Sequence, residues 1–349
     1  MFNRILFKSP SFSGFTRVNL PTFKQTNLIL NIPVLNIACG NVDNDEPFME
    51  KEILLPYTHI RQGPGKQGRE KIVMALNHWL QISDEKLKTI FDITETIHVG
   101  NLLVDDIQDN ANMRRGVPAA HRVYGVPMTI NAAGHIYFLT LSKASKIDRR
   151  IPEILSNECL NGVRGQGVDI YWRENFICPT EEQYMEMVKR KTGIFFNMNY
   201  RLMQLFSENK TDYSKLVNMI GCYFQIRDDY CNLVHPEELE EWPKKEDAED
   251  SLKGSNFCDD ITEGKFSFPV IHALQKPQGA EILNILKQRT RDVSLKKYFV
   301  SLLNTLGSLQ YTRNVMEEMD REARAMISKF GGNPLLETAL DELLNWKTD

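Results

Sequence analysis

The chain has 349 residues, 42% of them hydrophobic, enough apolar material to bury a substantial core. Its formal net charge is -4 and its pI is near 6.0, which argues against a general nucleic-acid binder, since such proteins carry a clustered basic excess. Any anionic ligand must therefore be held by a local group of cations.

At the N-terminus, Arg4, Lys8, Arg17 and Lys24 are spaced by Ser, Thr and Asn, and no acidic residue precedes Asp43. That is the composition of a mitochondrial transit peptide. Pro10, Pro21 and Pro33 interrupt a long amphipathic helix and fit a flexible extension instead. No internal repeat or shift in composition marks a second domain, so residues 1–48 read as a flexible leader and 49–349 as one domain. The six cysteines (Cys39, Cys159, Cys178, Cys222, Cys231 and Cys258) form no CxxC pair and no short His/Cys cluster. Neither a zinc site nor a disulfide framework is indicated, and a reducing, cytoplasmic compartment fits unless the leader directs import. No stretch reaches the ~20 apolar residues of a membrane span.

From Glu50 onward the pattern is helical almost throughout, without the alternation of half-buried strands. Ser83, followed by Asp84 and Glu85, predicts an N-cap ahead of Leu87, Ile90, Phe91 and Ile97. Thr180 and Gln183 have the spacing of a capping box. Gly331-Gly332 predicts a helix stop, and Asn333-Pro334 the start of a last helix with a stripe of Leu336, Leu340, Leu343 and Leu344. Between Pro236 and Asp260 the chain is crowded with Glu, Asp and Lys and reads as a solvated loop.

Two acidic segments stand out inside apolar helical stretches: Asp105-Asp106-Ile107-Gln108-Asp109 and Asp228-Asp229-Tyr230-Cys231-Asn232. Asp105 and Asp109, four apart, project from one helix face, and Asp106 sits about 100 degrees round the axis, within side reach of the same cation. Hard oxygen ligands of this kind suit Mg²⁺ shared with a phosphate. A lone DDxxD is weak evidence, but a second cluster at the same spacing lets two acidic walls face each other across a helical bundle. Arg114 and Arg115 follow the first cluster closely and can make bidentate contacts to phosphate oxygens. Gly65-Lys66-Gln67-Gly68-Arg69 adds two cations but is not a Walker A loop.

Together with GPGKQGRE (63–70), LLVDDIQDN (102–110), RRGVPAAH (114–121), GQGVDIYWREN (165–175), KTG (191–193), FQIRDDY (224–230) and TEGKFSFPVIHAL (262–274), these segments resemble the trans-isoprenyl diphosphate synthases, and most of all the animal geranylgeranyl diphosphate synthases. The resemblance covers the chain from about Met49 to the C-terminus. It implies an all-α isoprenoid-synthase helical bundle with a deep central cavity, working as a homodimer or larger homo-oligomer. It also implies that Asp105, Asp106, Asp109 and Asp228 bind Mg²⁺. Arg114, Lys191, Thr192, Gln225 and Lys265 would then bind an allylic prenyl diphosphate, and Lys66, Arg69, His98 and Arg115 isopentenyl diphosphate. The implied catalytic set is Asp105, Asp106, Asp109, Asp228, Lys191 and Lys265.

The chain departs from that family in the wall of its hydrocarbon pocket. After KTG, where the family often has a glycine followed by leucines and alanine, it reads Ile194-Phe195-Phe196-Asn197-Met198-Asn199-Tyr200. The family's LHxGQG is replaced by Gly162-Val163-Arg164-Gly165-Gln166-Gly167, Gly100-Asn101 stand where Ala and Ser are common, and Gly134-His135 where Asn-Tyr is usual. Three activities are open: condensation to a short-chain trans-prenyl diphosphate; a terpene synthase that converts an allylic diphosphate to a volatile terpene; or a non-catalytic partner subunit. The retained Lys66, Arg69, His98 and Arg115 favour condensation, and both acidic clusters disfavour the third.

Overall fold

The computed structural model describes residues 49–62, 68–234 and 257–344. The leader, Lys66 and most of the acidic loop after Pro236 lie outside the described residues. What is described is sixteen helices and one two-residue hairpin, the all-α architecture expected.

Two short helices, α1 (Glu50–Ile53) and α2 (Leu55–Ile60), lead into α3 (Gly68–Leu80) and the 25-residue α4 (Asp84–Gln108). Ser83 caps α4 by accepting from the Lys86 amide. Strands β1 (Met113–Arg114) and β2 (Val117–Pro118) pair antiparallel, and α5 (Ala120–Tyr124) and α6 (Val126–Ile147) follow. Next come α7 (Ile151–Asn175), α8 (Glu181–Lys191), α9 (Gly193–Phe206) and α10 (Ser214–Val234). The capping box on α8 is complete: Gln183 N–H donates to Thr180 Oγ1 at 3.2 Å, and Thr180 N–H to Gln183 Oε1 at 2.9 Å. The rest of the bundle is α11 (Asp259–Glu263), α12 (Phe268–Leu274), α13 (Gly279–Leu286), α14 (Val293–Thr305), α15 (Ser308–Lys329) and α16 (Pro334–Leu343). Gly331 and Gly332 take positive φ, and Asn333 caps α16 through the Leu336 amide at 3.1 Å, as their sequence predicts.

Helices α4, α7, α9 and α10 carry the long apolar contacts, α9 packing against all three others. One buried cluster runs from Ile72 on α3 through Phe196, Leu216 and Ile226 to Leu340, and a smaller one joins α2, α4, α5 and α6 around Tyr57, Leu103 and Ile136. Apolar packing on the outer sides leaves α4, α6, α7, α9 and α10 facing one another around an internal space.

The hairpin was not expected. Arg115 (φ 53°) and Gly116 (φ 75°) form its tight turn, the pair of positive φ values that two-residue hairpins favour. Arg114 and Arg115 therefore do not extend the helix; the turn sends them to different places.

Candidate functional site

The last turns of α4 bring Asn101, Asp105 and Gln108 onto one face, at i, i+4 and i+7, and all three line a cavity of about 470 Å³. Across it, α10 presents Gln225 and Asp228, three apart. A second space of about 280 Å³ at its mouth shares Asp105, Arg114, Lys191, Thr192, Gln225 and Asp228 and adds Asp109, Asp169, Asp260, Glu263 and Lys265. Asp105 and Asp228, one from each acidic segment, thus line the same cavity.

In each Asp-Asp pair only the first carboxylate faces the cavity. Asp106 is fully buried and lines neither space; it accepts from Arg114 Nε at 2.6 Å. Asp106 was expected beside Asp105 and Asp109 at a shared cation; its side chain turns to Arg114 instead of lining the cavity. Burial raises its pKa to about 6 against the lowering effect of Arg114. Asp229 is likewise fully buried, accepting from Tyr184 Oη (2.6 Å), the Phe268 amide (2.9 Å), Gln225 Nε2 (2.9 Å) and Lys265 Nζ (2.9 Å). The 100-degree step that separates neighbours on a helix turns one aspartate to the ligand space and the next to the protein.

Cations surround the mouth. Arg114 reaches Asp105 at 3.3 Å as well as Asp106. Lys191, at the C-terminus of α8, donates to Asp169 at 2.5 Å. Burial opposes the charge on Lys191, but Asp169 and then Asp105 outweigh it and raise its pKa; Lys191 in turn holds Asp169 below the ordinary carboxylate range against burial. Lys265 pairs with Asp229 and, at 3.2 Å, with Asp260. Thr192 donates to Gln225 Oε1 at 2.6 Å, closing the break between α8 and α9.

A stripe on α7 supplies residues the sequence reading did not single out. Gln166 donates to Asp105 at 3.0 Å, Asp169 takes Lys191, and Arg173 holds Asp109 at 2.5 Å. Their spacing of three and four is a one-face helical pattern within GQGVDIYWREN that could have identified them. Gly165 on that helix permits close approach: a Cβ there would lie 2.6 Å from the Lys191 amide nitrogen. Asp260 and Glu263 also lie outside the expected set, and burial raises both pKa values, that of Asp260 to about 7.

A third space, about 150 Å³, is lined by Arg69, His98, Arg115, Glu95, Phe195 and Asn199. Arg69 approaches both ring nitrogens of His98, at 3.0 and 2.6 Å, and lies over Phe195. Burial, then Arg69 and Arg115, push the His98 pKa well below 6.5, so its ring is neutral at pH 7. Arg115 approaches Glu95 at 4.0 Å and lines the two larger spaces as well. Of the expected site residues described, all but Asp106 line one of these connected spaces.

The altered wall is partly where it was expected. Gly162, Val163, Ile194 and Phe195 line the large cavity, and Asn199 the small one. Tyr200 does not: its hydroxyl accepts from the Tyr213 amide at 2.9 Å inside the core. His135 pairs with Glu50 at 2.8 Å, away from the cavity. No helix among the described residues is long and apolar enough to cross a membrane.

Among the described residues, no three acidic, His or Cys groups converge to hold a metal on protein ligands alone. The donor set still fits Mg²⁺, which characteristically takes one or two carboxylates and completes its shell with water and substrate phosphate.

The chain matches the polyprenyl synthetase family over residues 50–303. It is 47% identical over 310 residues to a terpene synthase of Matsumurasca onukii, covering 88% of this chain and 98% of that one. It is 40% identical to a geranylgeranyl pyrophosphate synthase of Mucor circinelloides f. lusitanicus, over 86% of this chain and 95% of that one. With a geranylgeranyl pyrophosphate synthase of Dictyostelium discoideum the identity is 39%, over 84% and 93%.

Proposed function

This chain belongs to the polyprenyl synthetase family, and we propose that it is a Mg²⁺-dependent prenyltransferase that joins isopentenyl diphosphate to an allylic prenyl diphosphate, with geranylgeranyl diphosphate as product. The observation that carries the reading is the pair of cationic spaces meeting at one apolar cavity. One holds Lys191, Lys265 and Arg114 among carboxylates, the other Arg69, His98 and Arg115.

In this reading the allylic diphosphate sits at the mouth with its hydrocarbon tail in the large cavity. Asp105, Asp109 and Asp228 would hold Mg²⁺, which supplies positive charge to the diphosphate. Lys191, Lys265 and Arg114 stabilise the charge that develops as the carbon–oxygen bond breaks. Phe195, Phe224, Ile170 and Ile194 keep water from the allylic cation. Arg69 and Arg115, with Lys66, hold isopentenyl diphosphate so that its double bond attacks C1, neutral His98 serving as a hydrogen-bond partner rather than a second charge. The proton lost from the adjacent carbon passes to the released diphosphate, and the new allylic diphosphate is the product.

A second reading, terpene formation from the allylic diphosphate alone, is supported by two observations. Arg69 is occupied by His98 and Phe195, and a relative 47% identical over 310 residues carries the name terpene synthase. The deciding experiment is incubation with Mg²⁺ and geranyl or farnesyl diphosphate, with and without isopentenyl diphosphate, followed by product analysis. A longer diphosphate formed only when isopentenyl diphosphate is present is the expected result; a volatile product from the allylic substrate alone would replace it with the second reading.

We also propose a homodimer. Ile130 and Phe138 on α6, and Leu160 and Tyr171 on α7, are large apolar side chains left in solvent, which a second copy could cover. The proposed compartment is the cytoplasm, with the basic leader the feature that would direct a mitochondrial form.

A further inference from the structure

The turn between α13 and α14 lines none of the three spaces, yet one of its residues is tied to an aspartate at the mouth. Arg289 takes φ 47°, a left-handed conformation that side-chain-bearing residues seldom adopt. Three contacts anchor it there. Its amide donates to the Leu286 carbonyl at 3.1 Å. Its side chain lies against Gly264, where a Cβ would stand 3.2 Å from Arg289 Nε. The next residue, Thr290, accepts from Thr262 Oγ1 at 3.1 Å. Gly264 closes α11 with φ 75°, so the segment that carries Glu263 and Lys265 to the mouth also seats Arg289.

From that seat the guanidinium reaches the end of α7. Arg289 Nη2 lies 2.9 Å from Glu174 Oε1, and the group lies 5.9 Å from the centre of the Phe176 ring. The same Glu174 oxygen is 3.3 Å from Arg173 Nε. Arg173 in turn holds Asp109 at 2.5 Å and donates to the Gln108 carbonyl at 2.9 Å. Charges therefore alternate from solvent inward: Arg289, Glu174, Arg173, Asp109. The side chains of the outer pair are 36% and 49% exposed, those of the inner pair 4% and 8%. An ion pair as exposed as the outer one adds little stability, so its removal should leave the chain folded.

Arg173 is shared between two carboxylates, and Arg289 decides how the share falls. With Arg289 in place, Glu174 has a second cation and Arg173 stays on Asp109. With that guanidinium removed, Glu174 draws Arg173 toward the surface, and Asp109 loses the donor that fixes its orientation. Groups that orient a ligating carboxylate affect metal affinity strongly although they never touch the metal. We propose that Arg289 is a positioning residue for the diphosphate site: by holding Glu174 it keeps Arg173 on Asp109. The proposal deepens the reading of the mouth as the seat of Mg²⁺ and a diphosphate, and rests on it.

The test is calorimetric binding of inorganic pyrophosphate with Mg²⁺ to the full-length chain, beside pyrophosphate release from geranyl and farnesyl diphosphate with isopentenyl diphosphate present. Arg289→Ala should raise the pyrophosphate Kd about tenfold, the lower end for partners outside a metal's own ligands, and raise the KM for the allylic diphosphate in step. Adding Glu174→Gln to that variant removes the competing carboxylate and should return Kd to near the wild-type value, a rescue that a merely structural role for Arg289 does not provide. A wild-type Kd in folded Arg289→Ala, or a loss that Glu174→Gln does not relieve, overturns the proposal. Should Arg289→Ala not fold, Arg289→Gln, which keeps the stem on Gly264, replaces it under the same expectations. A wild-type chain that binds Mg²⁺ and pyrophosphate but releases none from either substrate overturns the proposed function alone, the Kd values still deciding the role of Arg289. One that binds neither overturns both.

Discussion

Neighbouring aspartates with the same chemistry are given opposite tasks by one helical step. Asp228 lines the ligand space, whereas Asp229 satisfies a tyrosine hydroxyl, a backbone amide, a glutamine and a lysine at once. Asp228→Ala should lower diphosphate release by about 10²–10³-fold, the scale of losing one well-placed electrostatic group, and leave the urea midpoint near that of wild type. Asp229→Ala removes the buried acceptor shared by Tyr184, the Phe268 amide, Gln225 and Lys265 and should cost about 3–5 kcal/mol of stability, read as a large fall in that midpoint. Similar midpoints for the two variants would contradict the assignment. The motif alone made Asp105, Asp109 and Asp228 legible, because i, i+4 geometry is local. It could not separate Asp106 from them, since the decision rests with Arg114, which a turn outside the helix brings back onto it.

Helix α7 comes close to the backbone at the end of α8 at Gly165. Here a methyl group would meet the backbone of Lys191 and Arg190, which cannot rotate away. Gly165→Ala should push the helices apart, costing about 1–3 kcal/mol by overpacking. It should also move Asp169 off Lys191 enough to lower turnover about 10²-fold; wild-type kinetics in this variant would show that the close approach is not needed. Helix starts and stops were legible because caps are short-range: Ser83, the Thr180–Gln183 box and Asn333 all act within three residues. The hairpin at Met113–Pro118 was not, since two-residue strands carry no alternation; only the Arg115-Gly116 turn hinted at it.

Across the whole molecule, carboxylates on α4 are paired with cations from α7 and the hairpin. Mg²⁺ and pyrophosphate should then stabilise the fold more together than separately, because each supplies the partner the other needs. At a concentration a hundred times the Kd the gain is about 2.7 kcal/mol, visible as a rise in Tm, and Asp105→Ala should remove most of it; an equal rise in that variant would place binding elsewhere. This convergence was the least legible level, since Asp109 and Arg173 lie 64 residues apart and no local pattern joins them. The Arg115-Gly116 turn has an evolutionary consequence. Surface turns ordinarily absorb insertions and deletions, but this one gives consecutive arginines different partners, Arg114 the carboxylates of α4 and Arg115 Glu95. One added residue would put one of them out of phase, so selection should hold the length of this loop as firmly as its composition.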